Sequence, residues 1–359
     1  MSEQSLLLAA SFSGDLGTAK EFLSRGTSID TTDHNGDTIL HIACQDGNVE
    51  LVQSLVQLGA PLNIQDFKLR TPLLFAAAIG HFDVVSCLLS LGADASLPDH
   101  RGMTAVHAAA VGGFPDVEEC LIESGADVTV RDNKDRSPLF YASHYGHEEV
   151  VHLLIQAGVQ VNERYARGET AVHGAAARGH VNVVRLLIEK GADVGIRDKK
   201  GQTPMLLAVS NGNEAVVELL SDAGIDVNEV NAVGETLMHI AVARDHFETL
   251  KALVERGADV EARNNKGCTP LFSAAAGGST HVVEYLVQEC GAKVNITDHC
   301  QLTPLHAAAM GGHLGCAKIL VANGADSECE DEKGCTPVVL AVALGYSDLV
   351  KFLMHGYAR

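Results

Sequence analysis

Two kinds of apolar block alternate along this chain. A short one opens with Thr or Ser and continues with apolar and small residues, as in TPLLFA or TAVHAA; a longer one repeats Val, Leu and Ile at helical spacing, as in HVNVVRLLIEKG. The longer pattern predicts an amphipathic helix with one buried stripe. The shorter predicts a brief helix that Thr caps with its hydroxyl and that Pro, lacking an N–H where none is needed, starts well. Gly47, Gly80, Gly113, Gly146, Gly179 and Gly212 follow the short blocks, where a left-handed C-cap is expected.

The blocks recur with a fixed period. Stretches beginning at Thr38, Thr71, Thr104, Ser137, Thr170, Thr203, Thr236 and Thr269 lie 33 residues apart; one extra residue in QECGAKV precedes the copies at Thr303 and Thr336. Counting back from Thr38 reaches SLLLAA at Ser5, which gives eleven units of the form D-x-x-G-x-T-P-L-H-x-A-A-x-x-G-H, then V-V-x-x-L-L, then G-A-D-V. A unit of this size cannot bury its own apolar faces, so neighbours must supply each other's core.

The period with T-P-L-H, G-H and G-A-D resembles the ankyrin repeat family across essentially the whole chain. The resemblance implies an all-α repeat solenoid with short β-hairpin fingers, curved, of about eleven helix-turn-helix units, whose fingers and first helices line a concave face. As one solenoid over residues 1–359, it divides into an N-terminal capping repeat at 1–32, internal repeats at 33–65, 66–98, 99–131, 132–164, 165–197, 198–230, 231–263, 264–297 and 298–330, and a C-terminal or truncated capping repeat at 331–359.

Composition narrows the function classes. The hydrophobic fraction of 46% and charged fraction of 20% are those of an ordinary globular chain. Apolar runs such as LLFAAAIG stop far short of the ~18 residues a membrane span needs, and no basic region precedes the first of them, so neither membrane insertion nor a leader is expected. Nine cysteines without a CxxC pair fit a reducing compartment, cytoplasmic or, secondarily, nuclear. A formal charge of -20 disfavours nucleic acid as a partner.

Seventeen histidines invite metal or catalytic chemistry, but the repeat absorbs ten. His41, His107, His173, His239 and His306 hold the T-P-L-H slot, which in the family ties adjacent turns together; His81, His147, His180, His246 and His313 hold the G-H slot. HEEVVH is one residue too long for a zinc-protease motif, and His299, Cys300, Cys329 and Cys335 match no zinc spacing. With no nucleotide loop or nucleophile elbow, the chain reads as non-catalytic, without cofactor or metal.

Specificity then belongs to positions the framework leaves free. In the fourth to seventh units these hold Arg101, Arg131, Lys134, Arg136, Arg164, Arg167, Arg178, Arg197, Lys199 and Lys200, ten of 26 basic residues, against one acid, Glu169. His144 and Tyr145 join them, and Tyr165, replacing the usual Asp, is expected to add an aromatic platform beside Arg136 and Arg167. Phe67 and Ile79 form one apolar flank with Leu69, which replaces a turn glycine; Leu302, Met310 and Leu344 form another. The resemblance also makes Asn228, in L-x5-D-V-N, a candidate for hydroxylation. The preferred function is a monomeric protein-interaction scaffold binding an extended, acidic or phosphorylated, partner segment in the concave groove. The alternative is a spacer or interaction fragment of a larger protein, such as a ubiquitin-ligase adaptor, channel or kinase, whose activity lies elsewhere. Reversing Arg136 and Arg167 to Glu should abolish binding and leave thermal unfolding nearly unchanged.

Overall fold

A computed structural model describes residues 3–12 and 15–355. Among the described residues, twenty-two helices follow one another as eleven helix-turn-helix pairs. The fourth pair shows the local logic. Thr104 caps helix Ala105–Gly112 reciprocally with His107, and Gly113, in the left-handed region at φ 70°, ends it. A Cβ there would also come within 2.3 Å of the His147 ring, so both the angle and the close approach require glycine. Helix Pro115–Glu123 then returns. The hydroxyls of Thr71, Ser137, Thr203 and Thr269 likewise accept an N–H three residues on, and Pro follows each of them.

The described residues separate into two compact bodies, residues 1–175 with 182–192, and 176–181 with 193–359. In the first, Ile39–Gln45, Pro72–Ile79, Ala105–Gly112 and Pro138–Tyr145 pack in succession, backed by Val49–Gln57, Phe82–Ser90, Pro115–Glu123 and Glu148–Gln156. In the second, Pro204–Ser210, Leu237–Ala243, Pro270–Gly277, Pro304–Gly311 and Pro337–Leu344 form the equivalent row. Small residues make the close packing of these rows feasible: Ala76, Ala109, Ala142, Ala241, Ala274 and Ala308 are fully buried. The outer helices bury a Val-Val-x-x-Leu stripe, as in Val150, Val151 and Leu154.

The histidines tie the stack together. His41 accepts the Thr38 N–H on Nδ1 (3.1 Å), which leaves Nε2 to donate to the carbonyl of Arg70 in the next turn (3.0 Å). Nε2 of His107, His239 and His306 faces the carbonyls of Arg136, Cys268 and Cys335 in the same way. In the G-H slot, Nε2 of His81, His147, His246 and His313 meets a carbonyl of the preceding pair, at 2.9–3.2 Å. The T-P-L-H slot also has a longer period: His41, His107, His173, His239 and His306 alternate with Leu74, Phe140, Leu206, Phe272 and Val339. Every second pair therefore replaces the polar tie with an apolar side chain.

The expected β-hairpin fingers do not form. Among the described residues the only bridges are the isolated Thr32–Thr38 and Val230–Thr236. The connecting segments are side-chain-capped turns instead. Asp99 Oδ1 accepts the N–H groups of Arg101 (2.7 Å) and Met103 (2.9 Å), and Asp132 Oδ1 those of Lys134 (2.8 Å) and Arg136 (2.9 Å). A donor held by its own turn's carboxylate cannot join a ladder. What remains are two closing bonds, such as Asp99 N–H to Met103 O and Gly102 N–H to Asp99 O, and a single link to the next turn, such as Asn133 N–H to Arg101 O.

Candidate protein-interaction site

The segment between the fourth and sixth pairs departs most from the repeat, and its irregular residues compensate for one another. Asp135 stands where most turns have glycine, at φ 62°. Arg131 donates to the Asp135 carboxylate (2.8 Å), to Glu163, and to the Arg164 carbonyl (3.3 Å). Phe140 fills the histidine slot and leaves Ser137 without the imidazole that Thr38 or Thr104 has. Tyr165, from the next turn, brings its hydroxyl 3.1 Å from Ser137 Oγ. The Tyr165 ring is therefore only 4% exposed, and burial pushes its phenol well above the usual range. It is a buried strut rather than the surface platform expected from sequence.

An aromatic cluster surrounds this strut. Phe140 lies edge-on to Tyr165 (5.0 Å between centroids) and Tyr141 (5.6 Å), and stacks on His144 (5.5 Å). Tyr141 continues to Tyr145, nearly parallel at 6.4 Å, and donates its hydroxyl to Asp132 Oδ2 (2.7 Å). Arg136 covers Tyr141 with its guanidinium 4.7 Å from the centroid and donates to Asp132 Oδ2 from Nε (3.0 Å) and Nη2 (2.7 Å). The Arg136 and Tyr141 hydrogen bonds outweigh burial and hold the Asp132 carboxyl below its ordinary range.

The predicted cations thus fall into two groups. Arg131 and Arg136 are engaged with Asp135, Glu163 and Asp132, and their side chains are only 31% and 27% exposed. Arg101, Lys134 and Arg167 are exposed and, among the described residues, no acid pairs with them. Arg164 is exposed, His144 half-buried and Tyr145 49% exposed. A cleft of about 450 Å³ opens between the two turns, lined by Lys134, Arg136, Phe140, Tyr165, Ala166, Arg167 and Glu169. It joins two unpaired cations to an aromatic wall.

The remaining predicted residues lie elsewhere. Phe67 (75% exposed), Leu69 and Ile79 are exposed on the first body, with Leu69 in the left-handed region at φ 60°. On the second body Arg178, Lys199 and Lys200 are exposed, and Arg197 approaches Glu229 (3.6 Å) and donates to the Gly201 carbonyl (2.8 Å). There too, Met310 and Leu344 are exposed and Leu302 half-buried. Asn228 is exposed, with Oδ1 accepting the Asp259 N–H (2.8 Å). Sequence reading missed Tyr141, whose slot holds Ile42, Phe75, Leu207, Ile240 and Leu340 in other units and so reads as ordinary apolar core. Among the described residues, no group of three or more His, Cys, Asp or Glu side chains is placed to hold a metal ion, and no helix is long and apolar enough to cross a membrane.

The family profile described as "Ankyrin repeats (3 copies)" matches residues 6–99, 91–165, 157–231, 223–298 and 290–358. Over 74 residues the chain is 34% identical to Ankyrin repeat domain-containing protein 63 of Homo sapiens, and equally to that of Mus musculus. The stretch is 21% of this chain and 20% and 19% of those proteins, so the chain spans about a fifth of the length of these curated relatives. With the profile matched end to end along the helix pairs, the chain belongs to the ankyrin-repeat family.

Proposed function

We propose that this non-catalytic ankyrin-repeat protein acts in protein–protein interaction by binding an extended acidic, or phosphorylated, segment across its first body, with the cleft between the fifth and sixth pairs as the main contact. The observation that carries the reading is the pairing of Lys134 and Arg167, unopposed by any acid within ion-pair distance among the described residues, with the half-buried ring of Phe140 that buried Tyr165 backs. Arginine beside an aromatic ring is the composition of an interaction hot spot, to which Lys134 adds charge. Arg101 and Arg164 extend the positive charge, and exposed Phe67 and Ile79 offer the same partner an apolar anchor.

The test uses Lys134 and Arg167, which hold no carboxylate in the fold. Binding of a panel of acidic, phosphorylated and neutral decapeptides is measured by fluorescence anisotropy. The doubly reversed variant Lys134→Glu, Arg167→Glu should lose the acidic and phosphorylated peptides and keep the native melting temperature. Equal binding by wild type and variant, or no preference for acidic peptides, would refute the assignment.

A further inference from the structure

Nine of the ten connecting turns open with Asp or Asn, and each uses one side-chain oxygen to accept two backbone N–H groups, those two and four residues on. Asp33, Asp66, Asp99, Asp132, Asp198, Asn231, Asn264, Asp298 and Asp331 all do so, at 2.7–3.1 Å. The tenth turn opens with Tyr165, whose hydroxyl is turned away to Ser137. Its main chain closes as in the others, Tyr165 N–H to Glu169 O (2.9 Å) and Gly168 N–H to Tyr165 O (2.7 Å). The N–H groups of Arg167 and Glu169, which correspond to the two capped donors of every other turn, have no acceptor among the described residues.

Those two donors belong to residues that line the 450 Å³ cleft, together with Lys134 and Arg136. Two converging N–H groups flanked by cations form an oxyanion site. We infer that a carboxylate from the partner segment enters this cleft and caps the turn at Arg167 and Glu169, taking the role that a framework Asp fills in the sister turns. The inference rests on the cleft being the anionic contact proposed above and adds what is recognised there: a side-chain carboxylate, read by two main-chain donors and neutralised by Lys134 and Arg167. Asp132 shows the arrangement filled, with one carboxylate oxygen on two N–H groups and the other on Arg136. Glu169 is the local charge that opposes such a ligand, since its carboxylate lines the same cleft.

The experiment follows the amide resonances of the full-length isotope-labelled chain during titration with an acetylated decapeptide of alternating Asp and Gly. Its Asn-Gly and phosphoserine-Gly counterparts serve as controls. The Asp peptide should move the Arg167 and Glu169 amides, and the Asn peptide should leave them in place. Tyr165→Asp supplies the cap internally, so it should move the same two amides with no peptide present and weaken the Asp peptide about tenfold or more, the worth of one charge-assisted hydrogen bond. Glu169→Gln keeps the fold and both donors and should tighten binding, which preserves the test if Tyr165→Asp does not fold. Binding of the Asp peptide that leaves both amides unmoved overturns the inference while the cleft assignment stands. No binding by wild type overturns both, and a phosphoserine peptide that moves these amides at lower concentration than the Asp peptide overturns the carboxylate assignment.

Discussion

Glu118 occupies the slot in which Val85, Val151, Val184 and Val217 are wholly buried, and it is equally buried there. Neither of its carboxylate oxygens has a hydrogen-bond partner, and burial alone pushes its carboxyl well above the usual range. An acid with a raised folded-state pKa is stabilised while protonated, so its contribution is kept at low pH and lost as pH rises. Glu118→Val should therefore raise stability at neutral pH by about 1–3 kcal/mol, the cost of an unsatisfied buried polar group, with less gain toward pH 4; denaturant melts at both pH values check it. Arg136 demands the opposite judgement. Glu at this position would place a second carboxylate against buried Asp132 and unstack the guanidinium from Tyr141. Arg136→Glu should cost about 2–3 kcal/mol, less than a fully buried pair because the guanidinium is partly exposed, so the sequence expectation of unchanged unfolding fails for this residue. A lowered urea midpoint for Arg136→Glu beside an unchanged one for Arg167→Glu would verify the distinction.

At the scale of the element, the alternation of His with Leu, Phe or Val gives successive helix pairs different chemistry. Burial lowers the pKa of His41, His107, His239 and His306, against the pull of backbone carbonyls and of acids such as Asp66 and Asp132. Protonating Nδ1 of His41, His107 or His306 would also destroy the acceptor that holds the Thr N–H. The folded state thus prefers neutral imidazole: the ties are intact above about pH 6.5 and weaken as pH falls below it, where the unfolded chain takes up protons first. Asp37 runs the other way, since burial pushes it up to about 6. The discriminating measurement is a difference: His107→Leu should flatten the fall of melting temperature between about pH 7 and 5 relative to wild type. These elements were legible in sequence to the extent that their causes are local. Thr and Pro at helix starts, glycine at φ near 70–87° and the His slots announce themselves by period. The β-hairpins were misread because a D-x-x-G-x turn and a hairpin share residues, and the side-chain cap decides between them only in three dimensions. Tyr165 was misread because its slot looks exposed, although Asp66 and Asp132 are buried in it. The engagement of Arg131 with Glu163 spans two turns, 32 residues apart, so no local spacing encodes it.

For the whole molecule, a formal charge of -20 must be reconciled with an acidic ligand. Two opposing terms act on each ligand charge and decay over different distances. Taken at about 5 Å in water, Lys134 and Arg167 attract it by about 1.7 kcal/mol unscreened, whereas the rest of the chain, -20 less these two cations and so -22, repels it by about 3 kcal/mol if its charges are taken at about 30 Å. Screening separates them. At about 0.01 M salt the Debye length of ~30 Å leaves about 1.4 kcal/mol of attraction against about 1 of repulsion. At about 0.15 M, with a length of ~8 Å, the repulsion almost vanishes while about 0.9 kcal/mol of attraction survives; at about 1 M, with ~3 Å, only about 0.3 remains. Affinity for an acidic peptide should therefore rise from low to physiological salt and then fall, rather than weaken throughout. Anisotropy titrations at the three ionic strengths test this, and Lys134→Glu, Arg167→Glu should abolish the falling limb, because with the local attraction gone added salt can only relieve repulsion. A steady decline from the lowest salt upward would mean that screening takes more from the local attraction than from the field of the whole chain, and would overturn this balance.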